Sequence, residues 1–455
     1  MMTLLTTLSL SLAAFALPPQ EPNDVLATFQ LGGKPAAVTR TDVAVEMAFH
    51  LRRQELGLQA CDVLVDAVLT RRAATKKNLM PTDEEVRRFW ADLQAQLRAA
   101  GKKPEEFAAV RNTGEAEWLR YLAIQMAQER LVRAELELGP KDPVSGDMLR
   151  LWQQEARKQA KIEIDPDVLP IGSAAVIDGE TIPMVELGTL LLRTSEKQEV
   201  ETFINYVVYF QSIEALARQH GIELTAADID KGIEARAAEA ARNPRFRGLA
   251  FEQLLKTATG MTLQALKQSH VFRSKVLLQK LSEKIYPADT LRADLERDRE
   301  AILEQVGPRR RISLIFVRAL DEPNALIPLD FPAAEKKIAE VRQRLEKDTF
   351  DVIARIESQE PASKAQGGDL GWHTRKSPSI PESVLAAAFA LAADEVSQPV
   401  RDKDGYLLVK CTDIEPPLAD EQLLERLREL RSKELSAKIL ADAKLEVLGD
   451  KKEPK

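Results

Sequence analysis

Only two cysteines, Cys61 and Cys411, occur in 455 residues. Two thiols cannot build a disulfide framework for so long a chain, and no zinc-type ligand spacing accompanies them. A basic excess is missing too, since 71 Asp and Glu face 64 Lys and Arg for a formal charge of −7. Without a basic surface the chain is a poor general binder of nucleic acid, and no such partner is expected. The four histidines, His50, His220, His270 and His373, show neither ligand nor triad spacing. No glycine-rich phosphate loop and no nucleophile elbow occurs, so no metal, nucleotide or other cofactor is expected. Beyond the N-terminus, no run approaches the roughly 20 apolar residues that span a bilayer. Aromatic residues contribute only 5%.

What is present is ordinary for a folded protein: 44% hydrophobic and 30% charged residues. Ala, Leu, Glu, Lys, Arg and Gln dominate long stretches, which predicts a mostly helical chain. At roughly 150 residues per domain, about three domains are expected.

The first residues read MMTLLTTLSLSLAAFALPPQ. Leu4 to Leu17 is uncharged and largely apolar, and Ala14-Phe15-Ala16 has the small-x-small form of a signal-peptidase site. No Lys or Arg precedes the apolar core, so an uncleaved anchor or an apolar tail is the alternative to a cleaved signal over 1–17. No cysteine follows it, which argues against a lipoprotein anchor. The expectation is an exported protein, periplasmic or otherwise extracytoplasmic, that touches membrane only through this segment.

Residues 25–305 carry a weak internal duplication. LGGKPAAVTRTDV, starting at Leu31, and IDGETIPMVEL, starting at Ile177, each place a glycine turn and a short apolar run before an acidic residue, Asp42 or Glu186. Each is followed by a helical stretch and then by a Thr with a carboxylate three residues on, Thr82 with Glu85 and Thr225 with Asp228. Such a pair satisfies the orphan amides of a helix start. Thr113-Gly114 aligns with Thr259-Gly260 further on. This unit resembles the helical N-terminal domain of SurA-type and PrsA-type folding factors, and the resemblance implies a domain that cradles unfolded chains. Asp165 to Ala174, with two prolines and a glycine, reads as the linker between the two copies.

After Gly307-Pro308 the texture changes. The cluster Arg309-Arg310-Arg311 reads as an attractor for acidic segments or as the solvated start of a strand. ISLIFVRA from Ile312 is β-branched and predicts a buried strand, and Pro332 to Lys347 an amphipathic helix. Gly367-Gly368 predicts a forced turn. Ser383 to Leu391 reads as a helix, and Asp404-Gly405 as a hairpin leading to the short buried strand Leu407-Leu408-Val409.

In order, ISLIFV, FDVIARIESQEPASKAQGGDLGW, VLAAAFAL, EVSQPV and GYLLVK resemble the parvulin (PpiC-type) peptidyl-prolyl isomerases. The resemblance implies an apolar pocket for a substrate proline, with Leu370, Ile380 and Val384 at its walls and Phe389 behind them. It also shows a departure. Leu314 and Leu407 stand where the family carries histidines, and Glu360 falls near the third catalytic position, where it is the candidate acid. His373 follows GGDLGW and is either a pocket-rim or a plain surface residue.

The expected architecture is therefore α+β and multidomain. It comprises a signal segment 1–17, a SurA-N-like helical unit 25–165, a second such unit 175–305, and a parvulin-like domain 309–416 with a small antiparallel sheet flanked by helices. A C-terminal helix 420–445 either completes the N-terminal helical domain or pairs with a partner, and a disordered tail 450–455 follows. The expected function is an exported chaperone for unfolded or nascent, proline-containing polypeptides, with isomerase activity weak or lost. Two alternatives stand beside it. One is a working isomerase with an atypical centre of Glu360, Ser313 and Tyr406. The other is an envelope scaffold holding one folded partner.

Overall fold

The computed structural model describes residues 25–104, 115–140, 142–170, 172–242, 246 and 248–448. The signal segment 1–17, Thr113-Gly114 and the tail 450–455 lie outside the described residues. Two compact units divide the chain, residues 1–281 with 436–455, and residues 282–435. Small antiparallel sheets are set among helices, the α+β arrangement expected.

In the first unit, strands β1 (Val25–Leu31) and β2 (Lys34–Thr39) form a hairpin whose turn, Gly32-Gly33, has φ of 58° and 80°. Thr39 ends β2 and caps α1 (Arg40–Leu51): its side chain accepts from the Asp42 amide, while the Asp42 carboxylate accepts from the Thr39 amide. Helices α2 (Glu55–Lys76) and α3 (Asp83–Ala99) follow, and Thr82 and Glu85 form the same reciprocal cap at the start of α3. Next come α4 (Glu115–Glu135) and α5 (Gly146–Gln159).

A second sheet contains β3 (Ile162–Glu163), β4 (Ser173–Ile177) and β5 (Glu180–Pro183). The order hairpin, short helix, long helix, capped helix then recurs. It runs through α6 (Met184–Thr194), α7 (Lys197–Gln219) and α8 (Ala226–Arg242), and the amides of Thr225 and Asp228 exchange hydrogen bonds with each other's side chains at the start of α8. Three further helices complete the run, α9 (Phe251–Thr259), α10 (Leu263–Gln268) and α11 (His270–Ile285).

The two segments do not make two separate helical units, as the linker at 165–174 had suggested. One continuous core runs from Ala27 and Val38 through Leu64, Val65 and Trp118 to Ile177, Leu191 and Val208. Neither segment buries its apolar face alone. α1 packs on α6 so closely that a Cβ on Gly188 would lie 1.7 Å from the Ala44 carbonyl oxygen. The chain end closes the first sheet, because Glu446–Val447 pairs with β1 and Ala443 lies in the same core.

The second unit begins before the expected boundary. Helices α12 (Ala288–Arg297) and α13 (Arg299–Val306) bury Leu291, Leu295, Ile302 and Val306 against Leu423, Leu424 and Leu427 of the last helix, Asp420–Asp442. Residues 282–305 therefore belong with this unit and not with the preceding helices. The last helix in turn divides at Ser436 between the two units.

The centre of the second unit is a four-stranded antiparallel sheet in the order β7-β6-β9-β8. It is made by β6 (Arg310–Arg318), β7 (Asp369–His373), β8 (Val400–Asp402) and β9 (Gly405–Ile414). Alternation along each strand sends neighbouring side chains to opposite faces. On one face Ile315, Val317, Tyr406 and Leu408 pack with Ile338, Val341, Phe350 and Ile353 of α14 (Phe331–Arg344) and α15 (Phe350–Glu357). On the other, Ile312, Leu314, Leu407 and Val409 pack with Val384, Leu385 and Ala388 of the helix Glu382–Ala390.

Candidate functional site

The face of the sheet under the helix Glu382–Ala390 is the candidate site. In the β6–β9 register, Leu314 lies opposite Val409 and Phe316 opposite Leu407, so the two leucines share this face. Leu314, Leu407 and Val384 are buried, while Leu370, Ile380 and Phe389 are partly buried and pack against them. All six residues singled out from the sequence as pocket or lost-histidine positions thus meet in one apolar cluster. Leucine donates no hydrogen bond, so this floor offers a substrate carbonyl or amide nitrogen nothing from positions 314 and 407.

The paired glycines fix the floor's edge. Gly367 and Gly368 have φ of 71° and 86°, in the left-handed region that favours glycine. A Cβ on Gly368 would lie 2.5 Å from the Leu314 carbonyl oxygen, and the Leu314 amide donates to the Gly368 carbonyl at 2.9 Å. The turn is therefore clamped to β6 at Leu314.

Glu360 does not project a free acid into this cluster. It caps the short helix Pro361–Lys364: Oε1 accepts from the Ala362 amide at 3.1 Å, and Oε2 accepts from the Ser363 amide and hydroxyl, each at 2.6 Å. Burial pushes its carboxyl up, but the bonds from Ser363 and Ala362 outweigh it and hold the group below the usual range. Glu360 is thus an ionised cap, poorly suited to give up a proton near neutral pH. Ser313 and Tyr406, its companions in the atypical-centre alternative, each precede a site-face leucine by one and so follow the opposite alternation. Tyr406 packs edge-on with Phe331 in the core behind the sheet. The structure therefore does not bring Glu360, Ser313 and Tyr406 together on the leucine face.

The arginine cluster also has a settled role. Arg309 pairs with Glu415 at 3.0 Å and Arg311 with Asp369 at 2.6 Å. Arg310 donates to the carbonyls of Ala388 and Leu391 and lies 5.1 Å from the centre of the Phe389 ring. These are intramolecular partners, so the cluster is no vacant attractor for acidic segments. The sequence reading missed Arg375, whose guanidinium lies 4.9 Å from the Phe389 ring centre. His373 donates from Nε2 to the Leu370 carbonyl at 2.9 Å, which ties the end of β7 to Leu370. Among the described residues no group of His, Cys, Asp and Glu is placed to hold a metal ion.

Residues 326–413 match the family model "PPIC-type PPIASE domain" (Rotamase). The second unit carries a PPIC-type domain. Among curated proteins, the foldase protein PrsA of Bacillus subtilis is 34% identical over 124 residues, covering 25% of this chain and 42% of PrsA. The periplasmic chaperone PpiD of Haemophilus ducreyi is 39% identical over 82 residues, 18% of this chain and 13% of PpiD. Each match spans less than half of the relative's length. Among solved structures, PrsA of Bacillus anthracis is 18% identical with a TM-score of 0.26, covering 53% of this chain and 94% of that one.

Proposed function

We propose that this chain is an exported folding factor whose PPIC-type domain binds apolar or proline-containing segments of unfolded polypeptides, with little or no isomerase activity of its own. The observation that carries the reading is the shared apolar face of Leu314, Leu407, Leu370, Ile380, Val384 and Phe389. A proline ring offers apolar surface and no amide hydrogen, so it suits such a floor.

Catalysis needs more than a floor. Rotation about the peptide bond faces a barrier of about 18–20 kcal/mol, set by amide resonance. Lowering it takes polar groups aimed at the twisting amide in a dry site. Leu314 and Leu407 supply none, and Glu360 is committed to its cap. Burial against apolar side chains still disfavours the polar resonance form, so any residual acceleration would come from desolvation.

The helical segments enter the proposal as a duplicated, fused SurA-N-like body. Its support is the repeated order of hairpin, helices and Thr cap. Export rests on the apolar segment before Pro18 and on the relatives named as a foldase and a periplasmic chaperone. Among the described residues no helix is long and apolar enough to cross a membrane.

Exchange NMR on the full chain with a panel of Xaa-Pro peptides tests the reading. The expected result is shift changes around Leu370, Ile380 and Val384 without acceleration of proline isomerisation. The Leu314→His plus Leu407→His double variant is expected to accelerate exchange above the parent. Clear acceleration by the unmodified chain would make it a working isomerase, and absence of both responses would favour the scaffold.

A further inference from the structure

A cavity of about 420 Å³ opens in the first unit, between the end of α1, helix α10 and residues 166–170 with Gly172. That volume is in the range of small-ligand sites. Its apolar wall includes Phe49, Leu169 and Met184. Its charged lining is unbalanced in a specific way. Both lining carboxylates are already engaged: Glu46 accepts from His50 at 2.8 Å and from His270 at 2.6 Å, and Asp167 accepts from Arg53 at 2.7 Å.

Arg52 has no such partner. It is 9% exposed, its Nη1 reaches only the Met184 sulfur at 3.7 Å, and its Nη2 is buried without a hydrogen bond. Nε of the adjacent Arg53 is likewise buried and unbonded. Burial, with the charge of Arg53, pulls the Arg52 guanidinium down to about 10, still protonated at any physiological pH. A buried cation with spare N–H groups is costly unless an anion completes it.

We propose that this cavity binds the free C-terminal α-carboxylate of a polypeptide ending in an apolar residue. Arg52, the lining cation with no carboxylate partner, would pair its charge with the carboxylate, and Phe49, Leu169 and Met184 would take the terminal side chain. A chain end carries carboxylate and side chain on one carbon, so a single residue meets both halves of the lining. An internal Asp or Glu would need the chain to enter and leave the same small cavity. The site lies wholly in the first unit, uses none of the leucine-face residues, and does not depend on the function proposed above.

The test is calorimetric titration of the full chain with three peptides: acetyl-Ala-Ala-Leu as free acid, its C-terminal amide, and acetyl-Ala-Asp-Leu-amide. The methyl resonance of Met184 reports the site. The free acid should bind saturably and shift that methyl, both amides should bind at least tenfold more weakly, and Arg52→Met should erase the acid-to-amide ratio. Equal affinity for acid and amide, equal affinity for the Asp-containing amide, or no saturable binding would each overturn the proposal. If Arg52→Met fails to fold, the acid-to-amide ratio and the Met184 shift in the unmodified chain decide alone.

Discussion

The four-stranded sheet of the second unit has two apolar faces of different kinds. Behind it, Ile315, Val317 and Leu408 are sealed by α14 and α15, with Ile338, Val341 and Ile353 fully buried. In front, Leu314, Leu407 and Val409 are buried by one helix, but Leu370, Ile380 and Phe389 at the margin remain partly open. The same two strands build both faces by alternation. A face covered by two helices is a core, and a face covered by one is a core with an accessible edge. The comparison also separates the polar Tyr406 from the partly open face, since it is turned into the sealed side.

The difference is open to direct attack. Leu408→Ala, on the sealed side, should cost about 2–5 kcal/mol of unfolding free energy, read by denaturant titration, and should alter peptide affinity only through unfolding. Gly368→Ala at the front edge meets both a positive φ and the Leu314 carbonyl, so a loss of about 1–3 kcal/mol is expected. Peptide shifts at Leu370 should change with it. Leu370→Ala should reverse the pattern, with a stability loss of about 1 kcal/mol or less for a partly exposed side chain and a clear loss of peptide binding by NMR titration. Equal stability losses for Leu408→Ala and Leu370→Ala would abolish the distinction between the faces.

Two electrostatic expectations are smaller. Burial pushes the Glu415 carboxyl up, but Arg426 and Arg309 hold it down to about 2. A carboxyl depressed in the folded state contributes stability that is complete above its ordinary value near 4.5 and lost as pH falls towards 2. Denaturation at pH 7 and pH 3 should show that loss, and Glu415→Gln should shrink it. The Arg311–Asp369 pair is nearly half exposed on the arginine side, so Arg311→Ala should change stability by less than about 1 kcal/mol.

Much of the second unit was legible in the sequence because its signals are local. A β-branched run, a glycine pair and an Asp-Gly turn each dictate backbone shape within a few residues, and β6, the Gly367-Gly368 turn and the β8–β9 hairpin follow them. That Leu314 and Leu407 share one face follows from the same alternation once the β6–β9 pairing is in place. Alternation could also have separated Tyr406 from Leu407, since adjacent strand residues face opposite ways. What the sequence concealed is non-local. Nothing around Asp165 to Ala174 tells that Leu64 and Val208 share a core, because long-range packing leaves no trace in either segment alone. Likewise, Arg310 reads as one of three exposed cations until the carbonyls of Ala388 and Leu391 are in place.

The pairing of Glu446–Val447 with β1 has a consequence for synthesis. A polypeptide emerging from its N-terminus presents β1 and β2 early, but the strand that completes their sheet is more than 400 residues away. The second unit, residues 282–435, is entire before that last strand arrives. Maturation is therefore expected to be vectorial only up to a point: the later-made unit can close while the earlier-made one still waits, with an open sheet edge, for the final segment of its own chain.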